Sequence, residues 1–359
     1  MATTTAPTAN VGFSPLDEAL ELVEKHWSPE TVGLIVWLSG LMPCRQVTEV
    51  LSRVGRLHVS ESSVWRLAQR WGKRMTAVLE AEEAEVKAAA REWSTPGGRE
   101  TTPEQMGLAV DGAMMCLREE GWKEFRVGCV FDVAQESPST SESNVESVLG
   151  HAVHISYRAQ LSSAEAFGWP MWTEAHRRNW HKARDTLVLG DGATWIWKLR
   201  DDHFPGSEML VDWYHATEHL GQAKQLRCPE GGAESSRWHN ALELALYQGH
   251  ADRVARSIER AAQEASDEAT ATALEKEAQY FRNNQRRMQY QDCRNAGWPI
   301  GSGMVESGAK QLKGRVAGPG MRWSRRGANN ILTICATVRT GQQRFSSVWA
   351  SALANSPDS

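Results

Sequence analysis

The sequence predicts an α/β fold: a mixed sheet with a helical insertion, preceded by a small all-α domain that contains a helix-turn-helix. Two observations predict it. Short apolar runs bounded by turn residues occupy the middle of the 359-residue chain, and apolar residues at helical spacing occupy the segments before and after them. A chain of this length is expected to form two or three domains.

The N-terminal part contains two helical patterns separated by a break at 55–58. Their apolar positions are Val47, Val50, Leu51 and Val54, then Val64, Leu67, Ala68 and Trp71. The outer face of the second helix carries the bases Arg66, Arg70 and Lys73. Two short helices joined by a tight turn, the second one basic, predict a helix-turn-helix that binds DNA. A plain helical domain is the alternative.

Five strands are predicted in the middle of the chain: one within 106–115 that runs into Asp111, and four at 125–133, 152–157, 186–189 and 208–212. The first three are closely connected and should pair antiparallel. The last two alternate with helices at 164–181 and 193–202, as parallel strands do. From 217 to 287 the pattern is helical, and another helix reaches Lys313.

These elements predict seven segments. They are a tail (1–14), a helix-turn-helix domain (15–76), a helical connector and loop (77–102), a first catalytic part (103–216), an all-helical insertion (217–295), a second catalytic part with basic helices (296–345) and a C-terminal tail (346–359).

Charge is distributed unevenly along the chain, although the net charge is only −4. The segment 280–345 carries twelve Lys or Arg against two acids, and 45–74 carries seven against two. Between them, 77–150 is acidic. Two basic regions favour contacts with a polyanion at both ends, and ordinary solvated helix faces are the alternative.

Several classes of protein are disfavoured by the sequence. No apolar stretch approaches the roughly 18–20 residues that span a bilayer, so no membrane partner is expected. The N-terminus lacks the basic start and apolar core of a secretory signal. The six cysteines form no C-x-x-C pair, which argues against a zinc knuckle or a disulfide framework. A reducing cytoplasm is the expected location.

Two aspartates share one context, since Asp111 (VDGA) and Asp191 (GDGA) each end a predicted apolar strand. Strand ends form the rim where ligands bind in open α/β sheets. Two aspartates brought together there would repel each other unless a cation lay between them. Oxygen ligands of this kind suit Mg²⁺. Either aspartate alone could instead be a turn residue or a helix N-cap.

Glu306 follows a glycine-rich segment, 301–303, in which Ser302 is placed to cap the next helix. Lys310 and Lys313 share its helical face, an arrangement suited to a phosphodiester backbone. A simple Glu–Lys surface pair is the alternative. Asp111, Asp191 and Glu306 are therefore predicted to bind two divalent metal ions, Mg²⁺ with Mn²⁺ as a substitute, for phosphoryl-transfer chemistry.

Other residues compete for roles in this site. Asp212 also ends an apolar strand and rivals Asp191, and His215 could serve as a proton shuttle or as a structural partner of Asp212. Trp323 lies among arginines and could stack on an unpaired base. The predicted DNA contacts of the C-terminal part are Lys310, Lys313, Arg315, Arg322, Trp323, Arg325 and Arg326.

Four motifs occur in order at 191–197 (DGATWIW), 212–219 (DWYHATEH), 300–307 (IGSGMVES) and 320–324 (GMRWS). Together they resemble the Kra-type bacterial insertion-sequence transposases, which are DDE enzymes of the RNase H-like superfamily related to Mutator-like transposases. The resemblance covers roughly 108–339. It implies an RNase H-like fold with Asp111, Asp191 and Glu306 as the catalytic set, and it implies that Asp212 and His215 match a C/D-x-x-H signature.

The expected function is DNA transposition, in which the protein binds terminal inverted repeats, cuts strands and joins 3′ ends to target DNA. A homodimer or higher oligomer on DNA, associated with the nucleoid, is expected by analogy because two element ends must be held together. Two alternatives remain: an RNase H-like nuclease without strand transfer, and a non-catalytic DNA-binding protein derived from a transposase.

Overall fold

A computed structural model describes residues 27–91, 104–135 and 150–355. The N-terminal helices are α1 (Pro29–Leu41), α2 (Cys44–Gly55) and α3 (Glu61–Arg91). The sheet region contains β1 (Gln105–Leu117), β2 (Gly121–Gln135), β3 (Gly150–Gln160), α4 (Ala164–Arg177), β4 (Asp185–Gly190), α5 (Thr194–His203) and β5 (Glu208–Val211). There follow α6 (Trp213–Arg227), α7 (Ala233–Tyr247), α8 (Ala251–Gln263), α9 (Glu268–Asn284), α10 (Tyr290–Asn295), α11 (Gly303–Val316), α12 (Arg325–Thr340) and α13 (Gln342–Ala354).

The five strands form one mixed sheet in the order β3-β2-β1-β4-β5. β2 pairs antiparallel with β1 and with β3, whereas β4 pairs parallel with β1 and with β5. The mixed α/β architecture is therefore confirmed, as are the antiparallel pairing of the first three strands and the parallel pairing of the last two. Among the described residues, no helix combines the length and apolar character needed to cross a membrane.

Helices pack onto this sheet and share its core. α11 packs on β1, α12 packs on β3, and α4 packs on β2 and β3. Large apolar side chains fill the space between these layers, and Phe125, Phe131 and Phe167 are fully buried. Burying side chains of this size contributes about 1.5–3 kcal/mol each. The helices α6–α10 lie between β5 and α11 in the chain, where the sequence predicts a helical stretch over 217–287.

The N-terminal helices differ from their prediction. α3 is 31 residues long rather than short, and the predicted boundary between 76 and 77 falls inside it. α3 also packs against α1, α12 and α13. Arg344 of α13 donates two hydrogen bonds to the carboxylate of Glu82 on α3, at 2.8 and 2.5 Å. The N-terminal helices therefore share a core with the C-terminal ones.

Two further predictions need correction. The predicted C-terminal tail, 346–359, is helical as far as Ala354, and Val348 and Ala352 are buried because α13 packs on α3. β1 does not end at Asp111 but continues to Leu117, since β2 pairs with it along that length. The predicted tail 1–14 and the loop 94–102 lie outside the described residues.

Candidate metal centre

Three aspartates lie at one level of three neighbouring strands. Ala109 of β1 pairs with Leu189 of β4, so Asp111 is level with Asp191. Gly190 pairs with Val211 of β5, so Asp191 is level with Asp212. Neighbouring strands are about 4.8 Å apart. The parallel register thus places the three residues side by side where β4 and β5 end.

Asp111 occupies the middle of β1, and its carboxylate is partly shielded from water. Burial raises the pKa of Asp111, and the charges of Asp191 and Glu306 raise it further. A hydrogen bond from the Gly112 amide to Oδ1, at 2.6 Å, and the nearby His215 act in the opposite direction. An ionised carboxylate is therefore disfavoured here unless a cation compensates it.

Asp191 is in the turn that follows β4. Its Oδ1 accepts a hydrogen bond from the Ala193 amide at 2.8 Å, so the carboxylate also shapes the turn. Gly192 adopts φ +101°, and a Cβ there would come within 3.0 Å of the Tyr280 ring. Glycine is required at 192 because other residues rarely adopt this backbone conformation.

Asp212 is fully buried and caps α6. Its Oδ2 accepts a hydrogen bond from the His215 amide at 3.2 Å, and its Oδ1 accepts one from the Ser302 amide at 2.8 Å. Burial raises the pKa of Asp212 despite both bonds. This one side chain joins the end of β5, the start of α6 and the segment that leads into α11.

Glu306 is in the first turn of α11, where the helix dipole favours a negative charge. Ser302 occupies the N-cap position, but its side chain makes no cap hydrogen bond, contrary to the prediction. Its hydroxyl instead donates to Oε1 of Glu306 at 2.6 Å. Ser302 therefore orients Glu306 through its side chain and holds Asp212 through its backbone amide.

Asp212, His215 and Glu306 each offer a ligand atom within 4.8 Å of the others. The His215 side chain is 35% exposed and lies 3.8 Å from Glu218. Among the described residues, the group within 4.8 Å contains Asp212, His215 and Glu306 and does not include Asp111 or Asp191. Asp111 and Asp191 belong to the same region because Asp111 interacts electrostatically with Asp191, His215 and Glu306.

Hydrogen bonding separates the carboxylates into two kinds. In Asp212 both oxygens accept backbone hydrogen bonds. In Asp111, Asp191 and Glu306 one oxygen accepts a bond, and the other accepts none from the described residues. These three carboxylates each have one oxygen without a hydrogen bond from the described residues, whereas both oxygens of Asp212 hold the backbone in place.

Three residues of the helical insertion support the site and were not singled out in the sequence. The Tyr280 hydroxyl donates to the backbone oxygen of Asp191 at 2.9 Å. Its ring stacks on His219 with centroids 3.6 Å apart, and His219 Nδ1 lies 2.7 Å from Glu277 Oε2. Tyr280 lies 89 positions after Asp191, so no local pattern could have revealed this contact.

Replacing Tyr280 with Phe is expected to weaken Mn²⁺ binding at this site about fivefold while leaving most of the stability intact. The ring would still stack on His219, but the Asp191 turn would lose a hydrogen bond worth about 1 kcal/mol. The Mn²⁺ affinity and the melting temperature measured on the same preparation would check this. Gln279→Ala on the exposed side of α9 is the control, and equal Mn²⁺ affinity in both variants would contradict the role of Tyr280.

The predicted DNA contacts fall into an exposed and a buried group. The exposed residues are Arg66, Arg70 and Lys73 on α3, Lys310 and Lys313 on α11, and Arg322, Arg325 and Arg326. Arg325 makes a bidentate ion pair with Glu120 at 3.0 and 2.6 Å.

Arg315 and Trp323 correct the prediction, because each is 4% exposed. Arg315 donates from Nε to the Ser39 oxygen at 2.7 Å, and Trp323 donates from Nε1 to the Val316 oxygen at 2.7 Å. Burial of the Trp323 ring leaves no face on which a base could stack in this structure.

Comparison with models of known protein families finds no match, and comparison with curated proteins finds none either.

Proposed function

We propose that this protein is a DNA transposase of the RNase H-like type. The observation that supports the proposal is the register that sets Asp111, Asp191 and Asp212 level at the carboxyl ends of β4 and β5, with His215 and Glu306 offering ligand atoms within 4.8 Å of Asp212. The mixed five-stranded sheet, with β2 antiparallel to its neighbours and β4 parallel to its own, agrees with the strand pairing that the sequence predicts. Fold alone does not select a reaction, whereas the residues of the site do.

The donor set suits a hard divalent cation. Asp111, Asp191 and Glu306 offer carboxylate oxygens, the ligands that Mg²⁺ and Mn²⁺ prefer. Like charges this close would repel, and the raised pKa of Asp111, mainly from burial, reflects an environment that favours a compensating cation. Bound there, a pair of such ions would polarise a phosphodiester and favour its attack by water or a 3′-hydroxyl.

The protein's own residues fix the geometry of that site. Asp212 anchors the start of α6 to the Ser302 amide, Ser302 orients Glu306, and Tyr280 holds the backbone at Asp191. His215, beside Asp111 and Glu306, is placed to accept or deliver the proton of the attacking or leaving oxygen. Preorganisation of this kind is needed because small displacements at a reacting centre are costly.

Two groups of exposed bases suit DNA. Lys310 and Lys313 are exposed on α11, one and two turns beyond Glu306. Arg66, Arg70 and Lys73 are exposed on α3. Exposed lysines and arginines bind phosphates without reading bases, so these residues would contribute affinity for DNA that falls with salt.

The experiment is a cleavage and joining assay with the full chain, DNA carrying the ends of the genomic element that encodes it, and Mg²⁺ or Mn²⁺. Strand cuts at the element ends, followed by products joined to target DNA, are the expected result. Cuts without joined products would favour an RNase H-like nuclease. Metal-independent binding with no cuts would favour a non-catalytic DNA-binding protein.

A further inference from the structure

A second concave site lies at the far end of β1, outside the carboxylate cluster. It is a cavity of about 280 Å³. The residues that matter to its chemistry are Trp65, Arg118, Arg315, Arg322 and Trp323, and these define the tryptophan–arginine pocket. No acidic side chain is among the described residues that line it.

The backbone on one side of this pocket is firmly held. Trp323 donates its amide hydrogen to the Cys116 oxygen at 3.1 Å and accepts one from Arg118 at 2.9 Å, which extends β1 by a short parallel bridge. Arg118 Nε also donates to the Arg322 oxygen at 3.3 Å. Two of the arginines are therefore tied to each other through the backbone, and the site is built before any ligand arrives.

One aromatic ring in the pocket is accessible, and it is not the one the sequence suggested. The Trp323 ring is buried, but Trp65 is 36% exposed and packs against Trp323 with ring centroids 5.4 Å apart. Arg118 and Arg322 are exposed beside it. A partly exposed indole next to guanidinium groups combines a ring on which a base can stack with donors for phosphate.

Two elements, β1 and α11, run between this pocket and the carboxylates, and their lengths set the distance between the two sites. Leu117, which bridges to Trp323, lies six positions after Asp111 on β1, a separation of about 20 Å at 3.3 Å per residue. Val316, which binds the Trp323 indole, lies ten positions after Glu306 on α11, or about 15 Å at 1.5 Å per residue. Lys310 and Lys313 are on α11 between the two sites.

We propose that the tryptophan–arginine pocket binds one unstacked nucleotide of the DNA strand whose backbone reaches the carboxylate cluster. The base stacks on Trp65, and Arg118 and Arg322 hold its phosphates. At 3.4 Å per nucleotide the 20 Å separation places this nucleotide about six positions from the reacting phosphodiester. The inference rests on the proposed function in one respect, that the ligand is DNA.

The experiment measures binding of a fluorescein-labelled 12-nucleotide oligo(dT) to the full chain in EDTA, so that no strand is cut. Trp65→Ala is expected to weaken binding about tenfold, and Trp65→Phe, which keeps a ring, about threefold or less. With a 12-mer of abasic sites, the wild type and Trp65→Ala should bind equally. Arg118→Gln should lower the salt dependence of oligo(dT) binding by about 0.7 in log–log slope.

Trp122→Ala is the matched control, since Trp122 is 60% exposed and does not line the pocket. It should bind oligo(dT) as the wild type does. Equal binding by Trp65→Ala and Trp122→Ala would overturn the proposal, and so would competition by thymidine monophosphate as effective as that by the oligonucleotide.

The oligo(dT) binding result and the test of the proposed function can fail independently of each other. Loss of binding in Trp65→Ala without any metal-dependent cleavage by the wild type would support the pocket and refute the transposase. If the Trp65→Ala protein cleaved DNA and bound oligo(dT) as the wild type does, the pocket would be refuted and the transposase supported.

Discussion

Replacing Asp111 with Asn is expected to abolish metal-dependent DNA cleavage and to raise the melting temperature of the metal-free protein. The activity falls because one carboxylate ligand is lost, and contributions of several kcal/mol correspond to at least about a thousandfold in rate. Stability rises because burial, with Asp191 and Glu306 nearby, raises the pKa of Asp111 in the folded state. Ionised Asp111 therefore disfavours folding, and a neutral amide of the same shape does not.

The pH dependence of this stability gain has a definite sign. The folded-state pKa of Asp111 lies above its unfolded value, so its charge destabilises the fold above the folded pKa. That destabilisation disappears as the pH falls below the unfolded pKa of about 3.9. The difference in melting temperature between Asp111→Asn and the wild type should therefore be largest near pH 7–8 and should shrink as the pH falls toward 4.

Thermal melting with and without Mn²⁺ provides the second readout. The cation should raise the melting temperature of the wild type, since a ligand that binds only the folded state stabilises it, and should do little for Asp111→Asn or Glu306→Gln. Asp185→Asn, at the opposite end of β4, is the control and should keep both cleavage and the Mn²⁺ shift. Undiminished cleavage by Asp111→Asn would remove the basis of the proposed function.

The pairing of the strands could be predicted from the sequence, but the position of Asp111 within its strand could not. It was predicted at a strand end, yet β1 continues for six residues because β2 pairs with it as far as Leu117. The rim is formed where β4 stops, at Gly190, and not where β1 stops. Only the register between β1 and β4, a long-range property, shows that Asp111 reaches this rim.

Side-chain environments depended on contacts that no local pattern encodes. Trp323 has polar and basic neighbours in the sequence and was predicted to be accessible. It is buried because its indole nitrogen reaches the Val316 oxygen and Trp65 packs against its ring. Tyr280 and Ser302 support the carboxylates across 89 and 90 positions, to Asp191 and Asp212. Such partners follow from the packing of the helical insertion and of α11 on the sheet.

The choice between Asp191 and Asp212 also lay beyond the sequence, since both follow apolar strands. Their environments differ, because Asp212 uses both oxygens on backbone amides and offers a ligand atom within 4.8 Å of His215 and Glu306, whereas Asp191 uses one oxygen on a backbone amide. Asp212→Ala is therefore expected to destabilise the metal-free protein by about 1.5–5 kcal/mol. The estimate adds a lost N-cap, about 0.5–2 kcal/mol, to a buried amide left without a partner, about 1–3 kcal/mol.

Asp267 offers a matched comparison, because it caps α9 by accepting a hydrogen bond from the Thr270 amide at 2.9 Å at an exposed position. Asp267→Ala loses only a cap and should cost about 1 kcal/mol in denaturant unfolding. The loss of stability in Asp212→Asn should fall between those of Asp267→Ala and Asp212→Ala. Its amide oxygen can still cap α6, but its NH₂ group cannot accept a hydrogen bond from the Ser302 amide. If Asp212→Ala cost no more than Asp267→Ala and also lost the Mn²⁺ shift, Asp212 would be the metal ligand and Asp191 the turn residue.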